Sequence, residues 1–258
     1  MSEPSTNRLC FDRPIPWELQ PEAARVAIAE NPRNAPATRG VPGHGAHPGR
    51  LALQTAKLWK PGRTLGVAFL DGSPLQRRKV ADIAVTWSKY ASISFKFDAG
   101  AKAEIRVSFQ ADPGSWSALG TDCMVAAWFP ADQPSMNFGW LHDDTDDAEW
   151  SRVVLHEFGH ALGAIHEHQN PRGGIEWNVD AVYKAFSGPP NNWSKAEIDF
   201  NILQTYSLDQ LNATRFDPNS IMLYGFPATL IQGGQATHDN NVLSAADKRM
   251  MRRFYPGG

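Results

Sequence analysis

The run His156-Glu157-Phe158-Gly159-His160-Ala161-Leu162-Gly163-Ala164-Ile165-His166 constrains this chain more than any other feature, because it sets three imidazoles, a carboxylate and a glycine in an order suited to one metal ion. Apolar residues at Val153, Val154, Leu155, Phe158, Ala161 and Leu162 recur at helical spacing, leaving one stripe for a core and another for His156 and His160. Residues four apart on a helix stand one turn above each other, so both imidazoles can face the same ion. Glu157 follows the first histidine directly and projects beside the metal, where a carboxylate can hold a water without ligating. Gly163 comes soon after His160, where helices often end on a positive backbone angle that glycine adopts easily. The chain can then turn back and deliver His166.

Three histidines with an open fourth position describe a catalytic zinc centre, whereas structural zinc is normally closed by four protein ligands. The two cysteines, Cys10 and Cys123, are too few for such a cage. Zinc would lower the pKa of a water from ~15.7 toward ~7, and Glu157 would take its proton and pass it to a leaving nitrogen. The chemistry implied is hydrolysis of an amide. A helix carrying surface histidines is the plain alternative.

Residues 156–166 match in full the long motif His-Glu-x-x-His-x-x-Gly-x-x-His, and by it the chain resembles the metzincin clan of zinc endopeptidases. The resemblance implies a methionine beneath the metal, and Met222 in Ser220-Ile221-Met222-Leu223-Tyr224-Gly225 stands in a suitable place. Within the clan the chain is most similar to the astacin-like branch, through His166-Glu167-His168 and the spacing Ser220-x-Met222-x-Tyr224. That similarity implies that Tyr224 lies near the metal and hydrogen-bonds the oxyanion during hydrolysis, a role suited to a phenol. Read as residues alone, Tyr224 is equally a buried tyrosine and Met222 a gap-filling core side chain. Two departures separate the chain from the branch: Gln169-Asn170-Pro171-Arg172-Gly173-Gly174 replaces its usual charged run, and its disulfide cysteines are missing. The fold implied is α+β: a twisted mixed sheet with backing helices above an active-site helix, then a mainly helical or irregular lower lobe.

With 258 residues, 42% of them hydrophobic, the chain can bury one substantial core, divided or not into two lobes. A net charge of −2 gives no electrostatic reason to expect nucleic acid or an anionic membrane. Gln76-Arg77-Arg78-Lys79 fits the exposed face of a helix better than a binding stripe. No apolar run approaches the ~20 residues of a membrane span, and Met1 to Arg8 lack the apolar block of a secretory signal. The expectation is a cytoplasmic or non-classically exported chain, or an extracellular one if a signal has been removed. Two separated cysteines allow one disulfide but are more often reduced. Some metzincin prosegments block the metal with a cysteine or aspartate; Cys10 or Asp12 could do so here, although neither known inhibitory motif is matched.

Along the chain, residues 1–50 read as an N-terminal extension and 51–258 as the catalytic domain, its upper lobe about 51–165 and its lower lobe about 166–258. A short helix is expected over Pro16–Ala29, with Pro21 in its first turn, followed by a Pro/Gly-rich linker. His44 and His47 in that linker read as solvated rather than metal-binding. Strands are expected at 64–70, 93–97, 104–109 and 123–129, and a long helix at 74–90. Part of 123–138 is expected to form the sheet edge that pairs with an extended peptide. The acidic run Asp143-Asp144-Thr145-Asp146-Asp147 reads as helix capping, with calcium a weaker alternative. Short helices follow at 178–186, 195–201 and 244–254.

The function expected is that of an endopeptidase with one Zn2+ held by His156, His160 and His166, acting on an extended protein or peptide. Glu157 serves as base and then acid, Tyr224 assists the oxyanion, and Met222 and Gly163 support the site. Glu167 either organises the lower lobe through a hydrogen bond or ion pair, or is exposed. The alternatives are a catalytically silent, zinc-containing binding module and a zinc hydrolase of a non-protein amide; neither these nor the oligomeric state are decided by sequence.

Overall fold

A six-stranded sheet forms the upper half of the molecule, in the spatial order β1-β5-β6-β4-β2-β3. The computed structural model describes residues 9–35, 56–111, 114–189, 191–205 and 215–257; the side chain of Asp12 also lies outside the described residues, as do His44 and His47. The strands are β1 (Phe11–Asp12), β2 (Arg63–Phe69), β3 (Ile93–Phe97), β4 (Ile105–Ser108), β5 (Trp116–Ser117) and β6 (Met136–Asn137). β3, β2, β4 and β6 run parallel; β5 is antiparallel to β6, and β1 pairs parallel with β5. This mixed sheet is backed by helices, as the α+β reading anticipates.

Helix α1 (Gln20–Glu30) starts with Pro21 in its first turn and ends at Asn31. Asn34 then fastens it to the body: its amide donates to the carbonyls of Ala27 and Leu58, at 2.8 and 2.7 Å, and accepts from Leu58 N–H at 3.0 Å. Helix α2 (Pro74–Ala84) opens with a capping box between Ser73 and Gln76. Gln76 also donates to the Leu141 carbonyl and is buried, so only Arg77, Arg78 and Lys79 of the basic run lie outward or part-buried. α2 is shorter than expected, because the chain tightens into a 3₁₀ turn at Trp87–Lys89. That turn drives Trp87 into the core, where its indole donates to the Leu155 carbonyl at 3.0 Å.

The stretch 123–129 is not a strand. Gly120 lies at φ 49°, Thr121 N–H donates to the Lys57 carbonyl at 3.0 Å, and the buried Lys57–Asp122 ion pair closes at 2.9 Å, curling Gly120–Met124 into a 3₁₀ turn. β6, the strand that does form within 123–138, is interior, between β4 and β5. The strand that would face outward is β5, and β1 covers it.

Helix α3 (Asp147–Ala161) runs beneath the sheet with every residue from Arg152 to Ala161 buried. Asp146 caps it by accepting from Glu149 N–H at 2.9 Å, while Asp143 accepts from Ser73 and Asp147 pairs with Lys79, so these members of the acidic run hold helix ends together. Beyond lie α4 (Val179–Phe186), α5 (Lys195–Ile198), which continues into a π turn at Asp199–Leu203, and α6 (Ala245–Phe254). Among the described residues no helix is long and apolar enough to cross a membrane.

Asn34→Ala strips three hydrogen bonds, one buried and two part-buried, from the join between α1 and residue 58. It should cost about 2–3 kcal/mol, read as a lower urea midpoint; an unchanged midpoint would mean that the join contributes nothing to stability.

Candidate metal centre

His156 and His160 occupy one face of α3, a turn apart, and are buried. Helix α3 stops there because its last carbonyls are taken by side chains: Trp59 Nε1 donates to Ala161 O at 2.8 Å and Tyr255 Oη to Leu162 O at 2.7 Å. Gly163 follows at φ 85°, and a Cβ there would come within 2.9 Å of Leu58 Cδ2, so both angle and space favour glycine. The chain reverses and brings His166 back to the other two. The Nε2 atom of His160 lies 3.0 Å from Nε2 of His156 and 3.0 Å from Nε2 of His166.

Protonation states follow from the outer partners. Nδ1 of His156 lies 2.9 Å from Ile221 O and Nδ1 of His160 lies 2.8 Å from Ala164 O. A carbonyl only accepts, so each Nδ1 carries the proton and each Nε2 presents a lone pair. Burial, reinforced by the two neighbouring imidazoles, holds His156 well below the usual histidine range, hence neutral. Two lone pairs 3.0 Å apart repel one another in a buried place, and a cation removes that repulsion. Among the described residues these three histidines are the group whose ligand atoms converge in this way. Three imidazoles fit Zn2+, and they leave the fourth coordination position to another ligand.

The floor of the centre is the turn Ser220–Tyr224, which α6 holds in place. Asp247 accepts from Ser220 Oγ at 2.7 Å and from Ile221 N–H at 2.9 Å, and Ser220 Oγ accepts from Met222 N–H at 3.1 Å. This bracket aims the Ile221 carbonyl at His156. Met222 is buried under α3, and a Cβ on Gly159 would lie 2.5 Å from its sulfur. Gly159 and Asp247 are therefore site-building residues that the sequence reading missed; a glycine inside a helix, just before the second histidine, was the available signal for the first.

Glu157 is fully buried beside the imidazoles, and its charge acts on the buried thiol of Cys10. Burial, and then the charge of Glu157, push the Cys10 thiol far above its ordinary value, so without a cation it stays protonated. Tyr224 Oη contacts Nε2 of His166 and donates to the Cys10 carbonyl at 2.7 Å. Residue 10 thus contacts Tyr224 and lies within the field of Glu157. Cys123 is buried elsewhere and both thiols are free. Glu167 accepts from Asn170 Nδ2 and Asp217 N–H, each at 2.9 Å, and burial raises it to about 7; it ties the third-histidine loop to the segment before the turn. His168 points away from the metal group, its Nε2 bonding Asn201 O at 2.9 Å.

Asp247→Ala should loosen the turn and weaken zinc binding about 10–100-fold, measured by competition with a chromogenic chelator, with circular dichroism as the folding control. Gly159→Ala should lower stability by about 1–3 kcal/mol through overpacking against Met222; a thermal melt identical to wild type would contradict that packing.

No family model and no curated protein matches the chain. Solved structures do. The structure of myroilysin is 42% identical with a TM-score of 0.75, covering 78% of this chain and 97% of that one. A crystal structure of myroilysin is 39% identical with a TM-score of 0.61, covering 85% and 98%. High choriolytic enzyme 1, a hatching enzyme zinc-protease from the medaka fish Oryzias latipes, shares the fold at 20% identity and a TM-score of 0.51 over 77% of this chain and 94% of its own. Identity of this degree over nearly the whole of the solved relative, joined to the three histidines and their adjacent glutamate, places the chain in the family of myroilysin, as a zinc metallopeptidase of metzincin-type active-site geometry and zincin-like α+β fold.

Proposed function

We propose that this protein is a zinc-dependent endopeptidase that cleaves peptide bonds in extended protein or peptide segments. The observation that carries the reading is what lies in the centre: a stretch of polypeptide, with the Cys10 carbonyl on the Tyr224 hydroxyl and β1 added to β5. A site that receives extended backbone in this way suits a protein substrate better than a small amide.

His156, His160 and His166 would hold zinc, which when bound would supply a Lewis acid able to acidify a water and polarise the scissile carbonyl. Glu157 takes the proton from that water and later gives it to the leaving nitrogen. Tyr224 donates its hydroxyl to the oxygen on which negative charge develops, as it now donates to Cys10 O. Met222 and Gly163 act by support, the first packing under α3 and the second releasing the chain toward His166. The astacin-like resemblance is carried by Tyr224 and Glu167.

The same contacts give residues 1–50 the character of a blocking extension to a catalytic domain over 51–258. Cys10 stands at the carboxylate that must receive the water, so the segment and the substrate exclude each other. Its thiol is also a zinc ligand once deprotonated. A silent binding module would preserve the histidines with no need of a buried carboxylate beside them; Glu157 speaks for catalysis.

Zinc-loaded protein incubated with a mixed pool of unfolded polypeptides should generate new termini, read by mass spectrometry. Glu157→Ala should lower the rate about 10³-fold with zinc content retained, and Tyr224→Phe about 10²-fold. Cys10→Ala should raise it several-fold. Absence of Glu157-dependent cuts from the folded, zinc-bound Cys10→Ala protein would sink the endopeptidase reading.

A further inference from the structure

Arg13, immediately after β1, lies in an aromatic corner. Its guanidinium carbon stands 4.3 Å from the ring centroid of Trp116, 5.9 Å from that of Trp128 and 5.8 Å from that of Phe129. Among the described residues no carboxylate lies within ion-pair distance of it. Partial burial lowers its pKa, as expected of a cation drawn from water onto ring faces. The rings are arranged against each other, Trp116 stacked on Phe129 at 6.3 Å and Trp128 edge-on to Phe129 at 6.4 Å.

This corner is built independently of Arg13. The loop carrying Trp128 and Phe129 is stapled from behind by Arg106 of β4, whose guanidinium donates to the carbonyls of Cys123, Phe129 and Gln133 at 3.2, 3.0 and 2.8 Å. Trp116 belongs to β5, with its side chain almost fully buried. Three donor contacts from one arginine to main-chain oxygens fix the loop, and two more, to Ala103 and Glu104, hold the arginine itself, so the rings stay in place when the N-terminal segment leaves.

We propose that Trp116, Trp128 and Phe129 form a substrate subsite for a cationic side chain, arginine before lysine, about three residues from the bond cleaved, and that Arg13 is its intramolecular occupant. The proposal rests on the endopeptidase reading. The carbonyl of residue 10 accepts from Tyr224 at the histidine centre, residues 11 and 12 add to β5, and residue 13 reaches the rings, so the segment measures the distance from the reaction centre to the subsite. A flat guanidinium stacks on an indole face with more contact than an ammonium can make. An anionic side chain meets the negative faces of the same rings and is refused.

The full-length chain, zinc-loaded and carrying Cys10→Ala and Arg13→Ala to weaken the segment and empty the corner, is tested on a randomised peptide pool. Four versions are compared: this background, and the same with Trp128→Leu, with Trp128→Phe and with Glu157→Ala. Glu157-dependent cuts should show arginine and lysine enriched about tenfold over leucine at one fixed position, about three residues from the cut, with glutamate depleted. Trp128→Leu should bring that ratio near unity and Trp128→Phe should restore part of it, thermal melts confirming the fold. In an otherwise unchanged chain, Arg13→Glu should raise cleavage of a fixed peptide about tenfold while Arg13→Lys changes it little. Glu157-dependent cuts without basic enrichment, or with enrichment that ignores Trp128, overturn the subsite and leave the peptidase standing. No Glu157-dependent cuts at all overturn both.

Discussion

The Nε2 atoms of His156, His160 and His166 converge in a buried place, where the lone pairs of the first two stand 3.0 Å apart, and the turn and the chain reversal around them are braced to hold that contact. Each Nδ1 proton that fixes an Nε2 lone pair is anchored to a carbonyl, of Ile221 for His156 and of Ala164 for His160. Those carbonyls are positioned in turn by the Asp247 bracket and by the reversal of the chain at Gly163. A protein that keeps such a cluster without its ion stores an unfavourable contact; with the ion, the binding free energy becomes folding free energy. The centre is thus both the chemical purpose of the fold and one of its main struts.

The other organising fact is that the cleft is lined by the chain itself. An antiparallel outer strand with a free edge is prone to pair with other polypeptides. Here β1 satisfies β5, while Cys10 and Arg13 fill the positions on either side of the added strand. Affinity in strand addition comes from main-chain pairing and selectivity from the pockets, and on the reading proposed above one short segment occupies both.

The histidine run was legible because spacing alone dictates its geometry: i, i+4 on a helix, then a glycine that only a reversal explains. Glu157, Tyr224 and Met222 could be placed near it for the same reason and by family likeness, and the helices and the three strands β2, β3 and β4 followed from periodicity and caps, whereas the two-residue strands β1, β5 and β6 are too short to leave a pattern. What could not be read were long-range effects. The 123–129 segment has strand-like residues, but contacts with Lys57 curl it. The helix expected to reach residue 90 ends at Ala84, and Trp87 turns into the core beside it. Asp247 looks like an ordinary member of a helix cap and only tertiary structure reveals its second duty to Ser220 and Ile221. The aromatic corner around Arg13 joins residues more than a hundred positions apart, a distance at which no sequence pattern speaks.

Asp247 also sets a schedule. The turn that steadies His156 is complete only when the carboxylate of α6 reaches Ser220 and Ile221, so a chain emerging from the ribosome can present its histidine helix well before the centre can close. Cys10 and Arg13 emerge more than two hundred residues before that last brace. On the reading proposed above, the segment that carries Cys10 and Arg13 is already made when the brace that completes the centre emerges.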